Sequence, residues 1–268
     1  MTLEQAASPE TQAATLTEAL HERIRQDIIL GALPPASKLK LEHLSKAYGV
    51  SVNTLRETLS RLAADGLVVA EGQRGFAVLP VSNDDLRDIT QMRQLLECQA
   101  LRLSIERGDL DWESRVVAAY HKLHKVEELV EERPDELGES WERYNQEFHS
   151  ALISNCQSRW LKFYYQAMYD HSRRYRMISL KARPFPRAQS AAEHKAILEA
   201  ALARDADRAS AILEAHILKG AAMDDALIDP AKRPKSGPNK SASIPSGSHK
   251  PASSKPRATK TAQRRKHI

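Results

Sequence analysis

Residues 39–65 read LKLEHLSKAYGVSVNTLRETLSRLAAD, and the spacing of the apolar positions in this stretch decides the fold. In its second half Leu55, Leu59 and Leu62 fall at i, i+4 and i+7, one stripe of a helix that must face a core. Asn53, Thr54, Arg56, Glu57, Ser60 and Arg61 are left on the other faces. Two short helices, near 41–47 and 52–64, are separated only by Tyr48-Gly49-Val50-Ser51, a link tight enough for a helix-turn-helix. Ser51 has the chemistry of an N-cap, and the free backbone N–H groups beside it suit a phosphate. In such motifs the N-terminal residues of the second helix contact base edges in the major groove.

Upstream, Leu20, Ile24 and Ile28 step by four and place a helix that stops at Gly31 and Pro34-Pro35. Residues 1–14 are polar and are expected to form a flexible N-terminus. Downstream, two short apolar runs at 67–70 and 75–79 flank Glu71-Gly72-Gln73-Arg74, which can turn a hairpin. No other strand signal is evident. Beyond Pro80 the pattern is helical, with helices expected near 83–107, 111–132, 135–155, 158–181, 187–203 and 206–227. The breaks between them are short, which favours antiparallel neighbours in a bundle. The expected class is therefore mainly α: a winged helix-turn-helix over 15–80 with a small β-hairpin wing, then an all-α antiparallel bundle over 83–227.

Charge is unevenly spread. The 268 residues carry 40 Lys or Arg and 35 Asp or Glu, but eleven of the basic residues lie between Pro230 and Ile268, where no acid occurs. Removing those eleven leaves 29 bases against 35 acids, so the body has a formal charge of −6. Basic character thus belongs to the tail over 228–268, which is rich in Pro, Ser and Lys and is expected to be disordered. That tail is either a solubilising extension or an arm that raises encounter with DNA. Cys98 and Cys156 sit in helical patterns without metal-type spacing, and read as buried thiols in a reducing compartment. No secretory signal and no apolar membrane span is visible, so a cytoplasmic protein is expected.

The run G-V-S-V-N-T-L-R-E-T-L-S-R-L-A-A-D-G-L-V, followed by G-Q-R-G-F-A-V, resembles the GntR-type winged helix in its turn, second helix and wing together. The resemblance implies a DNA-binding transcription regulator. By it, Arg56 is the base-reading arginine, Asn53 and Thr54 touch bases or phosphates, and Gly75 lets the wing approach the backbone. Lys40, Ser51 and Arg61 complete the expected DNA-binding set. Val52 stands where the family usually has arginine, which offers a thymine methyl an apolar contact and leaves the operator sequence open. Double-stranded DNA carrying a pseudo-palindromic operator, read by a homodimer, is the implied partner.

In the bundle, Asn145 and His149 are i, i+4 on one helix beside Phe148, Leu152 and Ile153. His194 shares a stripe with Ile197, Leu198 and Ala201, and His216 lies with Ile212, Leu213 and Ile217. One histidine on an apolar face is ordinarily a hydrogen-bonded core residue; three on three helices suggest a shared site. The pieces N-Q-E-F-H (145–149), E-H-K-A-I-L (193–198) and A-I-L-E-A-H (211–216) are similar to the motif of the FCD ligand-binding domain in the FadR-like branch of the same family. That resemblance implies that Asn145, His149, His194 and His216 hold a divalent metal, zinc or nickel. It also implies a small carboxylate effector met by Arg93, whose alternative partner is Glu97 at i+4. Asn145 replaces the commoner aspartate and removes one negative charge from the set.

Arg173, Arg174 and Arg176 are expected mostly at a solvated surface, with one of them able to reach the ligand pocket. A metal-dependent hydrolase and an architectural nucleic-acid binder driven by the tail are the competing readings. Against the hydrolase, Glu147 is expected on another face and Glu193 to project away, leaving no carboxylate beside the histidines as general base.

Overall fold

A computed structural model of the chain describes residues 9–130, 133–182 and 187–221. Its N-terminal unit comprises α1 (Pro9–Ile29), β1 (Lys38–Leu39), α2 (Leu41–Tyr48), α3 (Val52–Ala64), β2 (Val68–Ala70) and β3 (Phe76–Val78). The three strands form one antiparallel sheet in the order β1-β3-β2, with Lys38 opposite Ala77 and Val69 opposite Ala77 from the other side. Leu55, Leu59 and Leu62 are fully buried against Leu20, Ile24, Ile28, Leu44 and Val78. Each such leucine contributes on the order of 1.5–3 kcal/mol through removal from water, so the stripe is what fastens α3 to α1 and the sheet.

The link between α2 and α3 depends on Gly49, whose φ of 70° is left-handed and whose N–H returns to the Ser45 carbonyl. Ser51 then caps α3, its Oγ accepting from the Thr54 N–H at 3.1 Å. Two sequence expectations need correction here. The first helix begins at Pro9, inside the stretch expected to be flexible. A third strand, β1, was absent from the sequence reading, because two residues cannot show a period; it exists because β3 offers an unpaired edge.

The second unit is all helical: α4 (Asn83–Glu106), α5 (Leu110–Val130), α6 (Pro134–Leu152), α7 (Arg159–Ala182), α8 (Arg187–Leu202) and α9 (Ala206–Gly220). α5 packs on α6, α8 on α9 and α5, and α4 on α9 and α7. Their common core holds Leu101, Trp112, Val116, Leu123, Phe148, Leu152, Tyr169, Ile197 and Leu213. Ser82 and Asp205 cap α4 and α9 through the N–H groups of Asp85 and Arg208. Cys156 is buried as expected, whereas Cys98 is half-buried with its thiol turned to the Ser210 carbonyl. The expected tail lies outside the described residues.

α7 also faces the N-terminal unit. Asp170 accepts from Arg25 of α1, His171 Nε2 lies 3.0 Å from the Asp65 carbonyl, Arg174 donates to the Leu79 carbonyl, and Lys181 Nζ donates to the Leu30 carbonyl at 2.6 Å. Tyr175 clasps the junction from the same helix, donating to Asp85 at 2.5 Å and accepting from the Ser82 N–H.

Candidate DNA-binding and ligand sites

The face of α3 opposite its leucines forms one wall of an open groove of about 890 Å³, lined by Lys40, Glu42, Arg56, Arg74 and Gly75 among others. The turn from β2 to β3 forms the other wall. Gly75 has φ 92° and ψ −136°, a conformation that a side chain would strain. Ser51, Val52 and Asn53 are exposed at the start of α3, and Thr54 is half-buried with its hydroxyl 2.9 Å from Ser51 Oγ. Arg61 is placed elsewhere: it donates to Glu18 of α1 at 2.6 Å and is not among the groove residues. Arg74, which no sequence argument singled out, adds a cation to the groove.

In the bundle the three histidines converge from α6, α8 and α9. One ligand atom from each lies within 4.8 Å of the others. Nitrogens bound at about 2.1 Å in a tetrahedral shell stand about 3.4 Å apart, so inward side-chain shifts of up to roughly 1 Å would bring all three onto a common centre. The ring edges away from that centre meet carboxylates. Nδ1 of His194 is 2.7 Å from Glu127, Nδ1 of His216 is 2.8 Å from Glu193, and Nδ1 of His149 is 3.3 Å from Glu97. A carboxylate on Nδ1 keeps the proton there and leaves Nε2 as the electron-pair donor.

The electrostatics agree with that assignment. Burial pushes His149 and His216 below the ordinary histidine value, against the opposing pull of Glu97 and Glu193. Burial alone would raise the Glu97 carboxyl, but Arg93 and His149 beside it bring it down to about 2. Glu193 is likewise held near 2, by its hydrogen bond to His216 first and by Lys219. The imidazoles of His149 and His216 are therefore neutral near pH 7. Among the buried atoms without a hydrogen-bond partner are Nε2 of His194 and Oδ1 of Asn145, together with Nδ1 of His149, whose contact with Glu97 at 3.3 Å is an ion-pair distance only. Such orphans are costly and call for an occupant. The donor set of imidazole nitrogens and an amide oxygen suits a borderline divalent ion.

Beside the cluster opens a small cavity of about 50 Å³ whose lining includes Arg93, Trp141, Arg176, Ser190 and Lys219. Arg93 donates to Glu97 at 2.6 Å and to Ser172 at 2.9 Å, so it pairs within its helix as the alternative reading expected, and it also lines the cavity. The guanidiniums of Arg93 and Arg176 lie 5.0 and 4.7 Å from the ring of Tyr169, whose hydroxyl accepts from Asn145.

Two expectations are overturned. Arg173, Arg174 and Arg176 are not at a solvated surface but buried, at 5%, 2% and 8% exposure, because α7 is enclosed by α4, α6 and α1; Arg176 is the one that reaches the cavity. Glu193 does not project away from the histidines; its neighbour helix brings His216 to it. Glu127 went unnoticed, although it extends the buried stripe Trp112, Val116, Ala119, Leu123 of α5, where an acid signals an internal partner. Glu147, in contrast, does face away and pairs with Lys122.

A helix-turn-helix with a wing, joined to a helical domain with an internal polar cavity, is the architecture of a DNA-binding transcription regulator. Residues 16–78 match the family described as bacterial regulatory proteins, gntR family, and residues 88–219 match the FCD domain. The chain belongs to the GntR family. BphR of Paraburkholderia xenovorans, described as an uncharacterized HTH-type transcriptional regulator, is 42% identical over 210 residues, 78% of this chain and 85% of that protein. The HTH-type transcriptional repressor GlaR of Escherichia coli is 33% identical over 198 residues, 73% of this chain and 89% of its own. Among solved structures, E. coli McbR/YncC shares the fold with a TM-score of 0.63 at 21% identity, over 76% of this chain and 94% of that one. No helix among the described residues is long and apolar enough to cross a membrane.

Proposed function

We propose that the protein is a dimeric repressor whose grip on a pseudo-palindromic operator is released by a small carboxylate held in the bundle. The observation that carries this reading is the set of three carboxylate-backed histidines beside a cavity lined by two arginines. His149, His194, His216 and Asn145 would hold a divalent metal, zinc or nickel. Such an ion supplies open positions for an oxygen ligand. Arg93 and Arg176 orient the carboxylate by charge-assisted hydrogen bonds, while Trp141 and Ile217 give its carbon skeleton an apolar wall. Outside the bundle, Arg56 reads a base, Lys40, Ser51, Asn53 and Thr54 hold phosphates or bases, Val52 meets a thymine methyl, and Gly75 seats the wing. Repression fits the likeness to a protein named as a repressor.

The test is a thermal melt of the metal-loaded protein against a panel of mono- and dicarboxylates, repeated with a chelator. A ligand at a hundred times its Kd stabilises by about 2.7 kcal/mol. A carboxylate shift that vanishes with the chelator supports the reading; no shift with any carboxylate or with the chelator overturns it. The tail-driven alternative is tested by deleting residues 230–268, which on the present reading weakens non-specific binding and spares operator recognition.

A further inference from the structure

A chain of buried ionic contacts runs along α7 from the cavity to the DNA-binding unit. Arg176, at the cavity wall, grips both oxygens of Glu142 through Nη2 at 2.8 Å and Nε at 3.0 Å. Glu142 has no solvent exposure and is shared: Arg173 Nε lies 3.2 Å from the same Oε1. Arg173 in turn lies 3.7 Å from Oδ1 of Asp170, whose Oδ2 accepts from Arg25 of α1. Ser172 ties the cavity end together, accepting from Arg93 and from Arg176. Four guanidiniums (Arg25, Arg93, Arg173, Arg176) thus share three buried carboxylates (Glu97, Glu142, Asp170) and, at the α1 end, Glu22, whose two oxygens accept from Arg25 at 2.7 and 2.8 Å. Nearly all these groups are shut off from water, so the interactions are strong and each partner lost is felt by the next.

We infer that occupancy of the cavity is transmitted to the DNA-binding unit by exchange of partners along this chain. An anion that engages Arg176 takes over part of its charge and leaves Glu142 to Arg173. Arg173 then lets go of Asp170, which keeps Arg25 as its one cation beside the Gln166 amide, fastening α1 more tightly to α7. α7 carries further contacts to the same unit through His171, Arg174 and Lys181, so α1 and the helix-turn-helix packed on it take up the change together. One feature favours the exchange: the contact that must yield, Arg173 to Asp170 at 3.7 Å, is the longest of the chain. The coupling has its warrant in competition for shared acceptors, not in mere position between two sites. It rests on the reading of the cavity as an anion site, but its test needs no ligand.

The test is amide hydrogen exchange over α1 residues 21–29 in the full chain. Arg176→Gln removes the competitor for Glu142, as a bound anion does, and is expected to slow exchange there by about threefold or more. Glu142→Gln frees Arg173 to compete for Asp170 and is expected to speed it by a similar factor. Loss of a purely structural buried charge would speed exchange in both variants, and that result, or no change in either, overturns the relay. Arg176→Lys keeps a charge but gives up the two-pronged grip; it serves if the glutamine variant does not fold, with slower exchange expected and faster or unchanged exchange overturning the inference. A carboxylate response in the melts together with same-sign exchange effects would remove the relay and leave the sensor intact; opposite-sign effects with no such response would do the reverse.

Discussion

Nδ1 of His216, on α9, lies 2.8 Å from Oε2 of Glu193, on α8. Glu193 is adjacent in sequence to another member of the histidine cluster, His194, yet it serves His216. Two packed helices therefore supply both the ring and the carboxylate that orients it. The same Glu193 accepts from Lys219 at 2.7 Å through its other oxygen, so its direction is fixed from two sides.

Removing that carboxylate tests whether it orients a ligand ring. Glu193→Ala is expected to lower the affinity for zinc or nickel by about 10–100-fold, the usual weight of such outer partners, with the helical content retained. Glu193→Gln, whose amide oxygen can still accept from Nδ1, should lose less. Titration calorimetry with each metal salt provides the readout, and unchanged affinity in the alanine variant would count against the pairing as a metal-site feature.

The stability of the metal-free protein should fall as the pH drops below about 6.5. His149, His171 and His216 all lie below the ordinary histidine value in the folded chain, with burial the leading cause in each. The unfolded chain binds protons near 6.5 that the folded chain refuses, so the contribution is fully present above that value and is lost toward His216's folded value of about 3. Each such histidine removes up to about 1.4 kcal/mol per pH unit. Glu97 and Glu193, both near 2 when folded, add a second loss between 4.5 and 2. Urea midpoints at pH 8, 7, 6 and 5 in the presence of a chelator measure the first effect; a flat profile would mean that the rings are not held neutral.

The sequence made the helix-turn-helix legible because Leu55, Leu59 and Leu62 sit on one stripe and Gly49-Val50-Ser51 supplies a turn and a cap. The histidines were legible for a related reason: each interrupts an apolar face. Their carboxylates were not, since Glu97, Glu127 and Glu193 meet His149, His194 and His216 only across helix pairs whose rotation no single helix specifies. The arginines of α7 were misread because a charged run ordinarily marks a solvated face. Only the packing of α1, α4 and α6 around that helix shows that they are interior. β1 went unseen for want of length.

Arg56 and Arg61, five residues apart on α3, should separate cleanly on DNA. Arg56 is exposed in the groove, whereas Arg61 is engaged with Glu18. Arg56→Ala is expected to cost about 1–3 kcal/mol of operator affinity and to relax specificity at one base pair. Arg61→Ala should leave affinity nearly unchanged, because its partner lies on α1. Lys40→Ala should weaken all sequences alike and lower the salt slope by about one. Fluorescence anisotropy with operator and scrambled duplexes distinguishes the three; an Arg61 variant as defective as the Arg56 variant would overturn the groove assignment.

Asn145 offers a test of the metal-site reading with opposite signs in two conditions. Its Nδ2 donates to Tyr169, and its Oδ1 is buried without a hydrogen-bond partner beside the cavity that His149 and His216 also line. Asn145→Asp turns a neutral oxygen donor into an anionic one. Without metal, the new carboxylate is a buried charge and should destabilise the fold, although Arg93 and Arg176 around the Tyr169 ring moderate the cost. With zinc or nickel present, the same charge supplies a stronger ligand and should raise metal affinity by about tenfold or more. Melting curves should therefore cross: the variant melts below wild type in chelator and at or above it in metal. Asn145→Leu removes both the donor and the orphan acceptor, and should respond less to metal than wild type does. If the aspartate variant melts lower than wild type by the same margin in both conditions, Oδ1 does not face a cation and the four-residue set reduces to three histidines in a polar core.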